Sequence, residues 1–467
     1  MVGVRLDTEE GRSVAATLLT REYPLLVADR FASNGPAAWT AFDEEVRRLH
    51  SRAYAALRRD RIEARLCDPD GRVRASALAA WRNPPAQLVL IRCADWAPPV
   101  RERARRVLGR LVAKDPARML AELTPLVLRL GSREHGAWAL EQLEAALSGR
   151  YSVLAAWWRP GQPSTTWSRN SLTAPQRDEI LGRLRRSGDL PTRRFAVRLT
   201  LESGRFGLRE QALLAAGESD PLTARMWADA LLAAMAATGP DDGTIDALLR
   251  ARVPTARSAG VTALRGAGRA AEAGEHLTDR SELVRACARW LVRQDGGDPY
   301  ARYRELLADP DRVTAYAVAG FAECAGREDG PLVRALLRHP VGAVRAAAVA
   351  GLRRLDTSHF ELLLRPLLDD PCPAVAREVA RGLHPLAHRL PPEWLAERMA
   401  PDRPTHTRRA AFRLLREQGG LPALRAAVSL LDVRDAPLRE LAKSTLRAWD
   451  WAETLRPEGT ARAPERP

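Results

Sequence analysis

A turn, then Val-Arg, then Ala and Leu at helical spacing recurs along this chain, and repetition of this kind leaves stacking of one unit on the next as the way to build a core. The frame is clearest when Leu66-Cys-Asp-Pro-Asp-Gly-Arg-Val-Arg-Ala-Ser-Ala-Leu78 is set against Leu277-Thr-Asp-Arg-Ser-Glu-Leu-Val-Arg-Ala-Cys-Ala-Arg289 and Leu337-Arg-His-Pro-Val-Gly-Ala-Val-Arg-Ala-Ala-Ala-Val349. A fourth copy is Leu368-Asp-Asp-Pro-Cys-Pro-Ala-Val-Ala-Arg-Glu-Val-Ala380. With the residue after the Val as marker, copies fall at Arg74, Arg101 and Arg133, then at Arg193, Arg225, Arg257, Arg285, Thr314, Arg345, Ala376, Arg408 and Arg439. The spacing of 27 to 32 residues within each series fits one helix-turn-helix unit, two helices of about three turns with short connections.

The second helix of a unit shows why it must stack. Between Val341 and Leu355 the residues Val344, Ala348, Leu352 and Leu355 recur at four, four and three, which predicts a single buried stripe. Ala347 and Gly351 beside it allow close approach of neighbouring helices, and Leu332, Val333, Leu336 and Leu337 supply the complementary face of the first helix. One pair cannot bury such a face alone. The chain therefore reads as all-α, an α-solenoid of stacked helix pairs.

These residues resemble the short HEAT-like repeats of about 31 residues, as in phycobilin lyase-related HEAT-like proteins. The resemblance covers roughly 61–450 and implies a right-handed superhelix with an extended concave surface, and proteins of this kind commonly serve as binding scaffolds. The tetratricopeptide and ankyrin signatures do not recur at a fixed position.

Domain organisation follows from where the frame stops. Residues 1–60 read as an N-terminal helical cap, 61–150 and 177–452 as repeats, 151–176 as an insertion and 453–467 as a disordered tail without an apolar stripe. The insertion contains Trp157-Trp158-Arg-Pro-Gly-Gln-Pro-Ser-Thr-Thr-Trp167-Ser-Arg-Asn170, which has no helical period. A helix restarts after Thr173, with Thr173 as N-cap, Pro175 in the first turn and Gln176 completing a capping box.

Composition bears on the partner. Basic residues outnumber acidic ones 73 to 58, a net charge of +15, and all the basic residues except Lys114 and Lys443 are arginine. Ten of the twelve markers are Arg, and a row of them suits phosphates or carboxylates. The structural reading of the row is the stronger one. Asp stands six residues before the marker at Asp68/Arg74, Asp95/Arg101, Asp279/Arg285 and Asp402/Arg408, so the Asp is expected to cap its own second helix. In HEAT-like arrays such Asp and Arg residues make a ladder between adjacent repeats, and the resemblance places Asp68, Arg74, Asp95, Arg101, Asp279, Arg285, Arg345, Asp402, Arg408 and Arg439 in it.

No catalytic constellation stands out. None of the eight histidines is followed by Glu, which removes His-Glu-x-x-His zinc sites and the His-Glu pairs of deoxyhypusine hydroxylase; His384 and His388 have ligand spacing, but Pro385 separates them and no third ligand is near. The five cysteines form no Cys-x-x-Cys pair, and neither a nucleophile elbow nor a phosphate loop occurs. The twelve tryptophans invite comparison with the alkylpurine DNA glycosylases of HEAT-like fold, yet Trp39/Asp43 sits in the cap, and Trp227/Asp229 and Trp290/Asp295 lie on different helix faces.

The sequence thus points to a non-catalytic scaffold without cofactor or metal. Its expected partner is a protein presenting an acidic segment to a concave basic surface, with Trp157, Trp158, Arg159, Trp167 and Arg169 at the edge of the site. The alternative is a nucleic-acid binder, possibly with glycosylase activity. No apolar run reaches the roughly 20 residues of a membrane span, and the acidic start Met-Val-Gly-Val-Arg-Leu-Asp-Thr-Glu-Glu does not read as a secretory signal, so a cytoplasmic location is expected.

Overall fold

Helix starts follow from local chemistry. Asp70, Asp115, Asp189, Asp220, Asp241 and Asp298 each stand just before a helix and accept a hydrogen bond from a backbone N–H in its first turn, satisfying a donor that has no partner within the helix. Proline in the first turn often accompanies them, since its missing N–H costs nothing there. The capping box read at Thr173 is present: the Gln176 N–H donates to Thr173 Oγ1, and the Thr173 N–H donates to Gln176 Oε1 at 2.9 Å.

The computed structural model describes residues 2–20, 35–51, 61–149, 172–357 and 360–449. These residues are helical with no strand among them, and they fall into two units, 1–260 and 261–467. The chain is an all-α solenoid of HEAT-like helix pairs.

In the first unit a hairpin of α1 (Val2–Thr20) and α2 (Pro36–Ser51) precedes the pairs α3 (Ile62–Leu66) with α4 (Gly71–Ala80), and α5 (Ala86–Arg92) with α6 (Pro98–Lys114). There follow α7 (Pro116–Leu130) with α8 (Ala137–Ser148), α9 (Ala174–Arg185) with α10 (Leu190–Ser203), and α11 (Leu208–Gly217) with α12 (Pro221–Thr238). The last pair is α13 (Asp242–Leu249) with α14 (Pro254–Leu264), through which the unit boundary passes. First helices pack on first helices (α5 on α7, α7 on α9, α11 on α13) and second on second (α4 on α6, α10 on α12), giving two layers. Helix α2 lies across α5 and α7, with Trp39, Phe42 and Val46 buried beneath it.

The second unit continues the pattern with shorter first helices, several of them partly 3₁₀. The 3₁₀ segment Ala270–Thr278 pairs with α15 (Glu282–Gln294), and α16 (Pro299–Ala308) with α17 (Ala315–Ala322). Next, α18 (Gly330–Ala335) pairs with α19 (Gly342–Leu355), α20 (Phe360–Leu364) with α21 (Pro373–Leu383), α22 (Pro392–Glu397) with α23 (Thr405–Gln418), and α24 (Gly420–Ser429) with α25 (Ala436–Arg447). Val344, Ala348 and Leu352 are buried as the spacing predicts, while Leu355 is only half-buried at the helix end. On the first-helix side Val333 and Leu337 carry the contact; Leu332 faces solvent because the short helix α18 turns it away from the layer. Small residues set the closest approaches. A Cβ on Gly320 would lie 2.4 Å from the Tyr303 ring, so only glycine lets α17 pass that side chain, whose hydroxyl donates to the Leu277 carbonyl at 2.6 Å.

Candidate functional site

The marker arginines reach in two directions. Each of Arg74, Arg101, Arg193, Arg257, Arg285, Arg345 and Arg439 donates to the carbonyl six residues earlier, closing the turn of its own repeat. Several then extend to a carboxylate of the next repeat. Arg74 donates to both oxygens of Asp95, at 2.9 and 2.8 Å, and Arg345 to both oxygens of Asp370 at 2.8 Å. Arg285 donates to Glu323, and Arg193 to Glu218. In two repeats the neighbour of the marker makes the bidentate pair, Arg194 with Asp220 and Arg409 with Asp435. Arg408 turns to the Met399 carbonyl at 3.0 Å, and Asp402 is exposed.

The Asp of the ladder plays a different local part from the one its position suggested. Asp68, Asp95 and Asp279 each accept from the N–H two residues on, which folds the turn ahead of the helix, and that second residue, not the Asp, is the N-cap. Where the marker is Ala376, which has no donor, the carbonyl six residues back at Asp370 is met by the His406 ring at 3.0 Å instead. Thr314 becomes an N-cap, accepting from Ala317 N–H.

The Trp39/Asp43 pair is enclosed. Asp43 receives Arg92 Nη2 at 2.5 Å and Arg47 Nε at 3.3 Å, while Arg92 also donates to Asp95 at 3.3 Å, so that Arg74, Arg92, Asp43 and Asp95 form one buried charged network. Burial pushes the Asp43 carboxyl above its ordinary value, against the pull of Arg47. Burial also drives the neighbouring Cys67 thiol well up. Both groups are buried. Trp227 is buried too, Asp229 pairs with Arg225 in solvent, and among the described residues no group of three metal-ligating side chains comes together. Trp157, Trp158, Arg159, Trp167 and Arg169 lie outside the described residues.

A cluster in which arginine outnumbers carboxylate lies on the second helices of the second unit. Arg353 from α19 and Arg377 and Arg381 from α21 converge on one carboxylate, Glu378, at 3.1, 3.9 and 2.7 Å. Beside it Arg285 and Arg289 share Glu323, and Arg354 reaches Glu282 on α15 at 3.2 Å. Four exposed guanidinium groups, those of Arg353, Arg354, Arg377 and Arg381, thus share the carboxylates of Glu378 and Glu282, while Arg285, Arg289 and Glu323 are buried, and the exposed strip carries more arginine than carboxylate. Of these residues the sequence pattern singled out Arg285 alone, as part of the ladder. The i, i+3 spacing of Glu378 and Arg381 and the adjacent Arg353 and Arg354 were visible, but which helix faces which depends on the stacking register.

No family model matches the chain, and no characterised protein matches it by sequence. Among solved structures it is similar to Kap121p, with 14% identity over 86% of this chain and 49% of that one and a TM-score of 0.29. It is similar also to Kap95p (10% identity, 95% and 63% covered, TM-score 0.29) and to importin beta (15%, 95% and 63%, TM-score 0.26). The chain spans about half the length of Kap121p and under two thirds of the other two. No helix among the described residues is long and apolar enough to cross a membrane.

Proposed function

We propose that this HEAT-like repeat array is a protein-binding scaffold whose partner presents an acidic segment to the face formed by α15, α17, α19 and α21. The observation that carries the reading is Glu378. One carboxylate shared by three arginines leaves guanidinium N–H groups turned to solvent, and further carboxylates satisfy them at little geometric cost because Arg accepts them in a planar fork. Arg74 and Arg345 do not compete for the role, since their donors are already spent on turn carbonyls and on the next repeat.

Poly-L-glutamate serves as the probe, with random duplex DNA as comparison, each titrated against salt. The wild-type chain should hold poly-L-glutamate, and Arg377→Gln with Arg381→Gln, which leaves Arg353 as the counterion of Glu378, should weaken that binding by roughly threefold or more while the chain still melts cooperatively. If duplex DNA instead binds more tightly, with a steep fall of log affinity against log salt, the charge serves phosphates and the protein-scaffold reading gives way to the nucleic-acid one.

A further inference from the structure

Helix α17 has 8 residues, against 13 in α15 and 14 in α19. It ends at Ala322, beside the last two turns of α19, and a cleft of about 460 Å³ opens between the two helices there. Ala319 and Ala322 from α17 and Ala347, Ala350 and Gly351 from α19 make its floor. The floor is close-packed from beneath: a Cβ on Gly351 would already stand 3.2 Å from Ala322 and 3.3 Å from Val333. Glu323, Arg353 and Arg354 make the rim.

The rim is positive in effect. Glu323 is almost fully buried and already neutralised by Arg285 and Arg289, whereas Arg353 and Arg354 are exposed and each gives one nitrogen, Nη1, to a protein carboxylate. An apolar floor of methyl groups under two partly engaged guanidinium groups matches a segment with an apolar side chain between carboxylates. A cleft of this volume lies within the range of about 300 to 1,000 Å³ that small groups occupy, and admits side chains where a helix of about 10 Å diameter would not sink in whole.

We infer that this cleft is an anchor pocket for one apolar side chain of the acidic partner segment, with Arg353 and Arg354 taking the carboxylates on either side of the anchor. The inference rests on the acidic-segment reading above and adds the position and chemistry of the contact. Charge alone would let such a segment slide along the face. The anchor fixes its register, because the apolar side chain leaves water when it seats on the Ala and Gly floor.

The test is selection of a random-peptide phage library on the full chain, in parallel with Ala350→Trp, which fills the cleft, and with Ala319→Leu as a second filling should the first not melt like the wild type. Peptides enriched on the wild type should carry an apolar residue flanked by Asp or Glu, and their recovery should fall by about tenfold or more on the filled variant. Acidic peptides recovered equally from both, or acidic peptides with no apolar position in common, overturn the anchor while leaving the scaffold reading standing. Apolar peptides without acids that are lost on the filled variant keep the cleft and overturn its acidic partner. No enrichment on the wild type above the filled variant overturns the pocket.

Discussion

Asp95→Ala removes the hub of the buried network in the first unit, and its cost can be worked from the contacts. The carboxylate has no solvent exposure; it accepts two hydrogen bonds from Arg74 at 2.9 and 2.8 Å, one from Arg92 at 3.3 Å and one from the Ala97 N–H at 3.1 Å. Arg92 keeps Asp43 after the substitution. Arg74, fully buried, keeps the carbonyls of Asp68 and Pro69, at 2.7 and 2.8 Å, and the face of the Trp96 ring, but loses its paired carboxylate. Removing one member of a buried pair costs about 3 to 5 kcal/mol, a large share of the roughly 5 to 15 kcal/mol that holds an ordinary domain. Because a repeat array opens locally, the loss should appear in hydrogen exchange of α4, α5 and α6 before it appears in a global melt. Pairing Asp95→Ala with Arg74→Met in a double-mutant cycle should recover about 2 kcal/mol, since the second change removes the stranded charge. A cost below about 1 kcal/mol with no coupling would refute the argument and make the turn carbonyls sufficient for Arg74.

Leu352 is fully buried in the stripe of α19, so Leu352→Asp should cost roughly 3 kcal/mol or more, and a near-wild-type melting temperature would count against the stacking of these helices. Arg194, with help from Thr223, holds the Asp220 carboxyl well below the ordinary carboxylate range, and Arg409 lowers Asp435 in the same sense. Stability from a lowered carboxyl is complete above the unfolded value near about pH 3.9 and lost as pH falls through the folded one, so Asp220→Asn should flatten the acid limb of the unfolding curve; an unchanged limb would show that the pair does not couple to folding. Replacing residues 160–170 by Gly-Ser should leave helicity, cooperative melting and capture of the acidic probe by the second unit intact, and unfolding of the flanking repeats would make that segment structural.

The architecture was readable because its causes are local or periodic. The Val344, Ala348, Leu352 stripe needs only the 3.6-residue turn, and Thr173 with Gln176 needs only three residues of backbone, so both could be taken from residue order. Arg at the marker was also visible, but its partners were not, for the carboxylates it meets lie 21, 25 or 38 residues on, at Asp95, Glu218 and Asp370, and Glu323. Which acid arrives there depends on how long each first helix is and where its turn closes. The same limit hid the candidate face. Arg353, Arg377 and Arg381 become a cluster only when α19 and α21 stack in one register, and the cleft forms only where the end of α17 meets the last turns of α19. Sequence determined that helix pairs must stack, since no pair can bury its own stripe; tertiary structure decided which charges that stacking satisfies and which it leaves for a partner.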